Sequence, residues 1–223
     1  MATVARIDGD LAVNGLLTAT SFTPPAGSIT NTAINSAADI DRTKLLTETK
    51  SFPVDLSSLV VWDLPSSRLP ATSSSDDLGL YNGTFATSLP LCRTYDVKNA
   101  GSVTMYARFW FQLPAEYYNG GAVTIRASAG MVTTVASSAA TLDFEAYKSG
   151  KTGSVSGSDL VTTSATSINS LTFANKSYTV STGTLNTGDV VDVRVTIAAN
   201  DSATVTAVIA AIANLEILCE VKG

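Results

Sequence analysis

Residues 190–198 read Val-Val-Asp-Val-Arg-Val-Thr-Ile-Ala, and this stretch decides the fold. Val191, Val193, Val195 and Ile197 fall on one side of an extended chain and Asp192, Arg194 and Thr196 on the other, the two-residue period of a strand with one buried face. β-Branched side chains at the apolar positions suit a pleated surface better than a helix. The same alternation places Leu142, Phe144 and Ala146 opposite Asp143, Glu145 and Tyr147. It also places Leu215, Ile217, Cys219 and Val221 opposite Glu216, Leu218 and Glu220. Candidate strands are 54–62, 92–97, 103–113, 122–131, 141–147, 178–180, 190–198 and 215–221, separated by clusters of Gly, Pro, Asn and Ser. Strands of this number and spacing predict an all-β chain, a jelly-roll-like antiparallel β-sandwich over residues 51–223. Leu185-Asn186-Thr187-Gly188-Asp189 reads as the turn that delivers the chain into the 190–198 strand. The segments 64–72, with Pro65 and Pro70, and 73–77 read as surface loops.

Residues 1–50 have a different texture. Ile7, Leu11, Val13, Leu16, Phe22, Ile29, Ile34, Ile40 and Leu45 stand singly among small polar residues, and Pro24-Pro25-Ala26-Gly27 divides the segment in two. Neither strand nor helix periodicity is sustained, apart from a short helix over 39–46, capped by Asp39, as an alternative reading. So few apolar side chains do not close a core. The segment is therefore expected as an extended N-terminal arm that stays disordered, lies on another protein or intertwines with copies of itself.

Composition excludes several functions. The 223 residues are 45% hydrophobic and 15% charged, with a formal charge of −5 and no acidic or basic run. Nucleic acid and anionic membrane are thus unexpected partners. The N-terminus lacks the basic and apolar regions of a secretory signal, and the longest apolar stretch, 205–218, is interrupted by Thr206, Asn214 and Glu216. The number of cysteines alone leaves a Cys92–Cys219 disulfide open; two reduced thiols are the plainer reading, with Cys219 a core residue. The chain has no histidine, which removes the commonest general base and zinc ligand. No glycine-rich phosphate loop is present. Asp143 with Glu145, and Glu216 with Glu220, are the spacings of a solvated sheet face rather than of opposed acid and base. Asp76 with Asp77, and Asp189 with Asp192, lack the density of a calcium loop. No catalytic residue, metal or cofactor is expected, and the chain reads as non-enzymatic.

One strand carries an unusual outer face. In Val-Thr-Met-Tyr-Ala-Arg-Phe-Trp-Phe-Gln-Leu (103–113), Met105, Ala107, Phe109, Phe111 and Leu113 point to the core, and Tyr106, Arg108 and Trp110 point away. Such a row fits a subunit interface, a surface covered by a loop of the same chain, or a platform on which sugars stack. Tyr117 and Tyr118 follow in the next loop as candidates for the same patch.

The opening Ile-Asp-Gly-Asp-Leu-Ala-Val-Asn-Gly-Leu-Leu-Thr-Ala-Thr-Ser-Phe (7–22) resembles the leaders of tailed-bacteriophage fibre proteins, and residues 26–45 resemble the isoleucine-punctuated linkers that follow them. The 185–201 stretch with its last hydrophobic strand is similar in pattern to jelly-roll domains of phage fibres and capsid decoration proteins. The resemblance implies a virion surface protein made in the host cytoplasm, a homotrimer whose arms dock on a capsid or other virion protein. Among the arm residues, Ile7, Leu11, Val13, Ile29, Ile34, Ile40 and Leu45 are the expected anchors. Capsid decoration or head fibre fits the short chain better than a tail fibre, because extended repeats are missing. A short tail fibre and a carbohydrate-binding module reading a host-surface glycan are the alternatives.

Overall fold

The chain divides into two units, Met1–Asp41 and Arg42–Gly223. The computed structural model describes residues 46–136, 138–203 and 205–222. The expected arm anchors, Ile7 to Leu45, lie outside the described residues.

Eleven strands make up the described part: β1 (Thr47–Val54), β2 (Gly79–Tyr81), β3 (Leu91–Arg93), β4 (Ser102–Gln112), β5 (Val123–Met131), β6 (Ser138–Ser149), β7 (Val155–Ser156), β8 (Thr166–Ser167), β9 (Ala174–Val180), β10 (Val190–Asp201) and β11 (Ala210–Lys222). They form two antiparallel sheets. The first runs β2-β3-β11-β5-β9, with β1 also paired to β11, and the second runs β4-β10-β6-β7, with β8 also paired to β6. Leaving aside β1 and β2, the chain enters at β3 and then alternates sheets through β4, β5 and β6. It crosses back at β9, β10 and β11. The resulting orders, β3-β11-β5-β9 over β4-β10-β6-β7, are those of a jelly roll.

The alternation read from sequence sets which face is buried. Val191, Val193, Val195 and Ile197 of β10 are fully buried, as are Leu142, Phe144 and Ala146 of β6 and Leu215, Ile217, Cys219 and Val221 of β11. Met105, Ala107, Phe109 and Leu113 join them, while Phe111 is partly buried against this core. A hydroxyl links the sheets through the core: Tyr178 on β9 donates to the Leu142 carbonyl on β6 at 2.6 Å, and its ring meets Phe144 edge-on at 4.7 Å. Burial drives the Tyr178 phenol up to about 12. Both thiols are buried and unpaired with each other, and desolvation lifts Cys92 to about 12 and Cys219 to about 11.

Four local readings differ from the expectation. The strand expected over 92–97 is confined to β3, Leu91–Arg93, followed by an isolated bridge from Val97 to Val208. β1 starts at Thr47, so residues 47–50, assigned to the arm, belong to the first strand, which pairs with β11 from Thr47↔Lys222 to Val54↔Leu215. Its core-side positions are Glu48 and Lys50, which pair with each other at 3.0 Å, then Phe52 and Val54. The expected strand 54–62 is broken because Asp55 caps a short 3-10 turn, Leu56–Ser58, by accepting from the Ser57 amide at 2.8 Å. The loops of 64–77 do more than cross the surface. Leu69, Ser73 and the following Leu78 are buried, and the segment caps the open edge of β4, where Tyr106 N–H donates to Asp76 at 2.7 Å and Leu78 N–H to Tyr106 at 2.9 Å. Val60 and Arg108 exchange backbone bonds of 2.9 and 3.0 Å on the same edge. Covering an edge in this way removes a template for unwanted pairing. The predicted 185–189 turn is present, with Gly188 at φ +76° and the Asn186 amide donating to the Asp189 carboxylate at 2.9 Å.

Candidate functional site

The three long strands of the second sheet turn a three-by-three grid of side chains outward. The register puts Tyr106, Thr196 and Asp143 in one row, Arg108, Arg194 and Glu145 in the next, and Trp110, Asp192 and Tyr147 in the third. Each side chain stands there because its neighbours along the strand face the core.

The charges of the grid are paired across strands. Arg108 grips Asp192 with two donors, Nε on Oδ1 at 2.7 Å and Nη2 on Oδ2. That bidentate bond raises the Arg108 pKa further, outweighing the opposing effect of burial. Arg194 forms an ion pair with Glu145. Burial, more than any neighbouring charge, raises the Asp143 carboxyl above its ordinary range. These carboxylates are therefore engaged with cations or partly desolvated.

Aromatic rings frame the ion pairs. Trp62 arrives from the segment after the 3-10 turn, its Nε1 donating to Asp76 at 3.1 Å and its ring 5.1 Å from that of Tyr106. Arg194 lies over both rings, at 5.6 Å from Trp62 and 5.0 Å from Tyr106, and its buried Nε has no hydrogen-bond partner. Arg108 lies 5.0 Å over the ring of Trp110, a residue that remains 41% exposed. Two hollows result. One of about 340 Å³ is lined by Trp62, Asp63, Arg108, Glu145, Tyr147, Asp192 and Arg194. The other, of about 220 Å³, lies beside Trp110, Ser154 and Val155, and Arg108 and Asp192 form part of both walls.

No family model and no curated protein matches the sequence. Among solved structures, the chain is similar to that of TmCBM61 in complex with beta-1,4-galactotriose, at 10% identity and a TM-score of 0.34 over 77% of this chain and 88% of that one.

The structure brings Tyr106, Arg108 and Trp110 together as the sequence predicted and separates the two tyrosines from them. Tyr117 is a buried residue, not a patch residue: its backbone bridges Val221 and its hydroxyl donates to the Gly121 carbonyl at 2.8 Å. Burial pushes its phenol up to about 12. Tyr118 is exposed, but it lies against β11 of the other sheet, with its amide on Glu220 at 3.0 Å and the Lys222 ammonium 4.2 Å over its ring. Trp62 and Tyr147 were not among the residues predicted for the patch. Tyr147 was legible as an outward residue of β6, whereas Trp62 lay inside the expected strand 54–62. Of the acids weighed as calcium ligands, Asp189 holds Lys148 at 2.6 Å and Lys151 at 3.4 Å, Asp192 holds Arg108, and Asp76 accepts from the Trp62 indole at 3.1 Å.

Proposed function

We propose that the chain is a non-enzymatic structural protein of a virus particle, a capsid decoration or head-fibre protein that docks through the residues before Leu46 and projects its jelly roll outward. The observation that carries this reading is a division of labour along the chain. Residues Phe52 to Val221 supply a continuous core within the described part. Residues 1–45 contribute single apolar anchors spaced too widely for a core. A leader of that kind gains by burying its anchors on another surface or against copies of itself, and the resemblance of 7–22 to phage leaders supports a particle as that surface. Homotrimerisation belongs to the same proposal and is assigned to the leader. The outer grid is rich in half-exposed ion pairs, and charged residues are depleted at interface cores.

The test compares the full chain with residues 46–223 by light scattering, circular dichroism and co-sedimentation with particles that lack the protein. Full-length protein is expected to be trimeric and to pellet with particles. The shortened chain is expected to keep its β spectrum, become monomeric and stay in the supernatant. Equal pelleting of both forms overturns the docking role of the leader.

A further inference from the structure

The outward grid is more than a solvated sheet face. Exposed ion pairs contribute little to stability, yet here two arginines are bracketed by three aromatic rings and two carboxylates, and one guanidinium lies over the adjoining Trp62 and Tyr106 rings with its Nε unsatisfied. An unsatisfied buried donor is a cost to folding. The arrangement positions the arginines beyond what folding of the sheet requires.

We infer that the two hollows flanking the Arg108–Asp192 pair form a binding cleft for a neutral oligosaccharide.

Three features fix the ligand class. First, the cleft pairs flat apolar surface with fixed polar groups: Trp110 on one side of the Arg108–Asp192 pair, Tyr147 and Trp62 on the other. A pyranose ring has the matching anatomy, with axial C–H groups on its face and hydroxyls around its rim, and aromatic side chains that combine an apolar body with a polar tip suit it. Second, carboxylates that are bridged to guanidinium groups keep free lone pairs, and the guanidinium groups keep free N–H bonds. Adjacent hydroxyls, each both donor and acceptor, satisfy such pairs together. Third, Asp63, Glu145 and Asp192 outnumber Arg108 and Arg194 in the larger hollow, and the chain as a whole carries −5. This balance opposes sialic and uronic acids.

The dimensions point to more than one sugar. The larger hollow, about 340 Å³, lies at the small end of the roughly 300–1,000 Å³ typical of ligand sites. With a second hollow sharing its wall, the cleft takes a disaccharide or longer chain laid across β6, β10 and β4. Both hollows are open, so individual affinities are weak and display in several copies raises them.

This inference rests on residues of the jelly roll and none of the leader, so its failure leaves the docking proposal intact. The experiment presents the full-length protein with an array of neutral gluco-, galacto-, manno- and N-acetylglucosamine oligosaccharides, with sialylated and uronic-acid oligosaccharides as comparators. Hits are titrated by calorimetry with wild type, Trp110→Ala, Tyr147→Ala and Tyr118→Ala. Expected is saturable binding to at least one neutral oligosaccharide, weakened about tenfold or more by Trp110→Ala and by Tyr147→Ala. The distant Tyr118→Ala is expected to bind as wild type. Circular dichroism confirms that each variant is folded. No binding across the array, a preference for the acidic sugars, or equal affinity in all four proteins overturns the inference. A fall in molecular mass with Trp110→Ala in the absence of sugar does so too, because it makes the face a contact between copies.

Discussion

Replacing Tyr178 by Phe tests how the two sheets are held together. The substitution keeps the ring that packs on Phe144 and deletes one oxygen. That oxygen donates to the Leu142 carbonyl and shares a hydrogen bond with the Thr166 hydroxyl, both on the opposite sheet. Tyr178 is fully buried, so water does not replace the lost partner. A buried group left unsatisfied costs about 1–3 kcal/mol, and the Thr166 hydroxyl recovers part of this by rotating, so the expected loss is about 2 kcal/mol. For a chain of this length that lowers Tm by roughly 4–8 °C. Urea titration followed by circular dichroism should show a lower midpoint with an unchanged slope, since the surface exposed on unfolding is the same. The pH dependence supplies an independent readout. An unfolded tyrosine ionises near 10, whereas the folded phenol holds its proton up to about 12. The folded state therefore binds the proton more tightly, and its contribution is complete below pH 10 and lost as pH rises toward 12. Tyr178→Phe should remove that share of the alkaline loss. A stability change below about 0.3 kcal/mol, or an alkaline limb identical to wild type, refutes the role given to this hydroxyl.

Three further outcomes follow from the same structure. Cys92 and Cys219 should resist an aromatic disulfide reagent at pH 8 and react fully in urea; native-state reaction at the rate of a free thiol contradicts their burial. The two thiols, raised to about 12 and about 11, should add to the stability lost above pH 9, with the sign worked out for Tyr178. Asp189 is opposed by burial, yet the Lys148 ammonium and the Asn186 amide hold its carboxyl below the ordinary range. Its contribution is thus present above that range and lost as pH falls through the folded pKa. Asp189→Asn should flatten the acid limb and cost about 1–3 kcal/mol at neutral pH, read from urea midpoints. Gly188→Ala meets no atom closer than 3.9 Å, so its cost comes from the positive φ alone. Thermal unfolding should show about 1–2 kcal/mol; a neutral result shows that the turn relaxes.

The long strands were legible because each of β4, β5, β6, β10 and β11 repeats the two-residue period often enough to be read. The short ones were not. β2, β7 and β8 span two or three residues, too few to display any period, and they exist because a neighbouring strand offers them backbone partners. β1 was hidden by chemistry rather than length: Glu48 and Lys50 sit at its core-side positions, beyond the reach of the core, so the pattern read as leader. In the site, Tyr106, Arg108 and Trp110 were legible from alternation on one strand. Trp62 was not, because its place on Tyr106 depends on the Asp55 cap and the crossing of the β4 edge, contacts remote in sequence. Tyr117 and Tyr118 show the converse. Neighbours in an irregular segment point to different surroundings, one under β11 and one over it, and residue type alone does not say which.

The position of β11 has a consequence for how the protein is made. This strand lies between β5 and the pair β1 and β3, yet it leaves the ribosome after the other ten. Until then β5 lacks its central partner, and β1 and β3 lack theirs. Synthesis at about 5–20 residues per second leaves those edges waiting for seconds, so the sheet closes in one late step after translation has passed residue 222. A message truncated before that point yields a chain whose first sheet has no means of completing itself, and the cell's proteases are expected to clear such products.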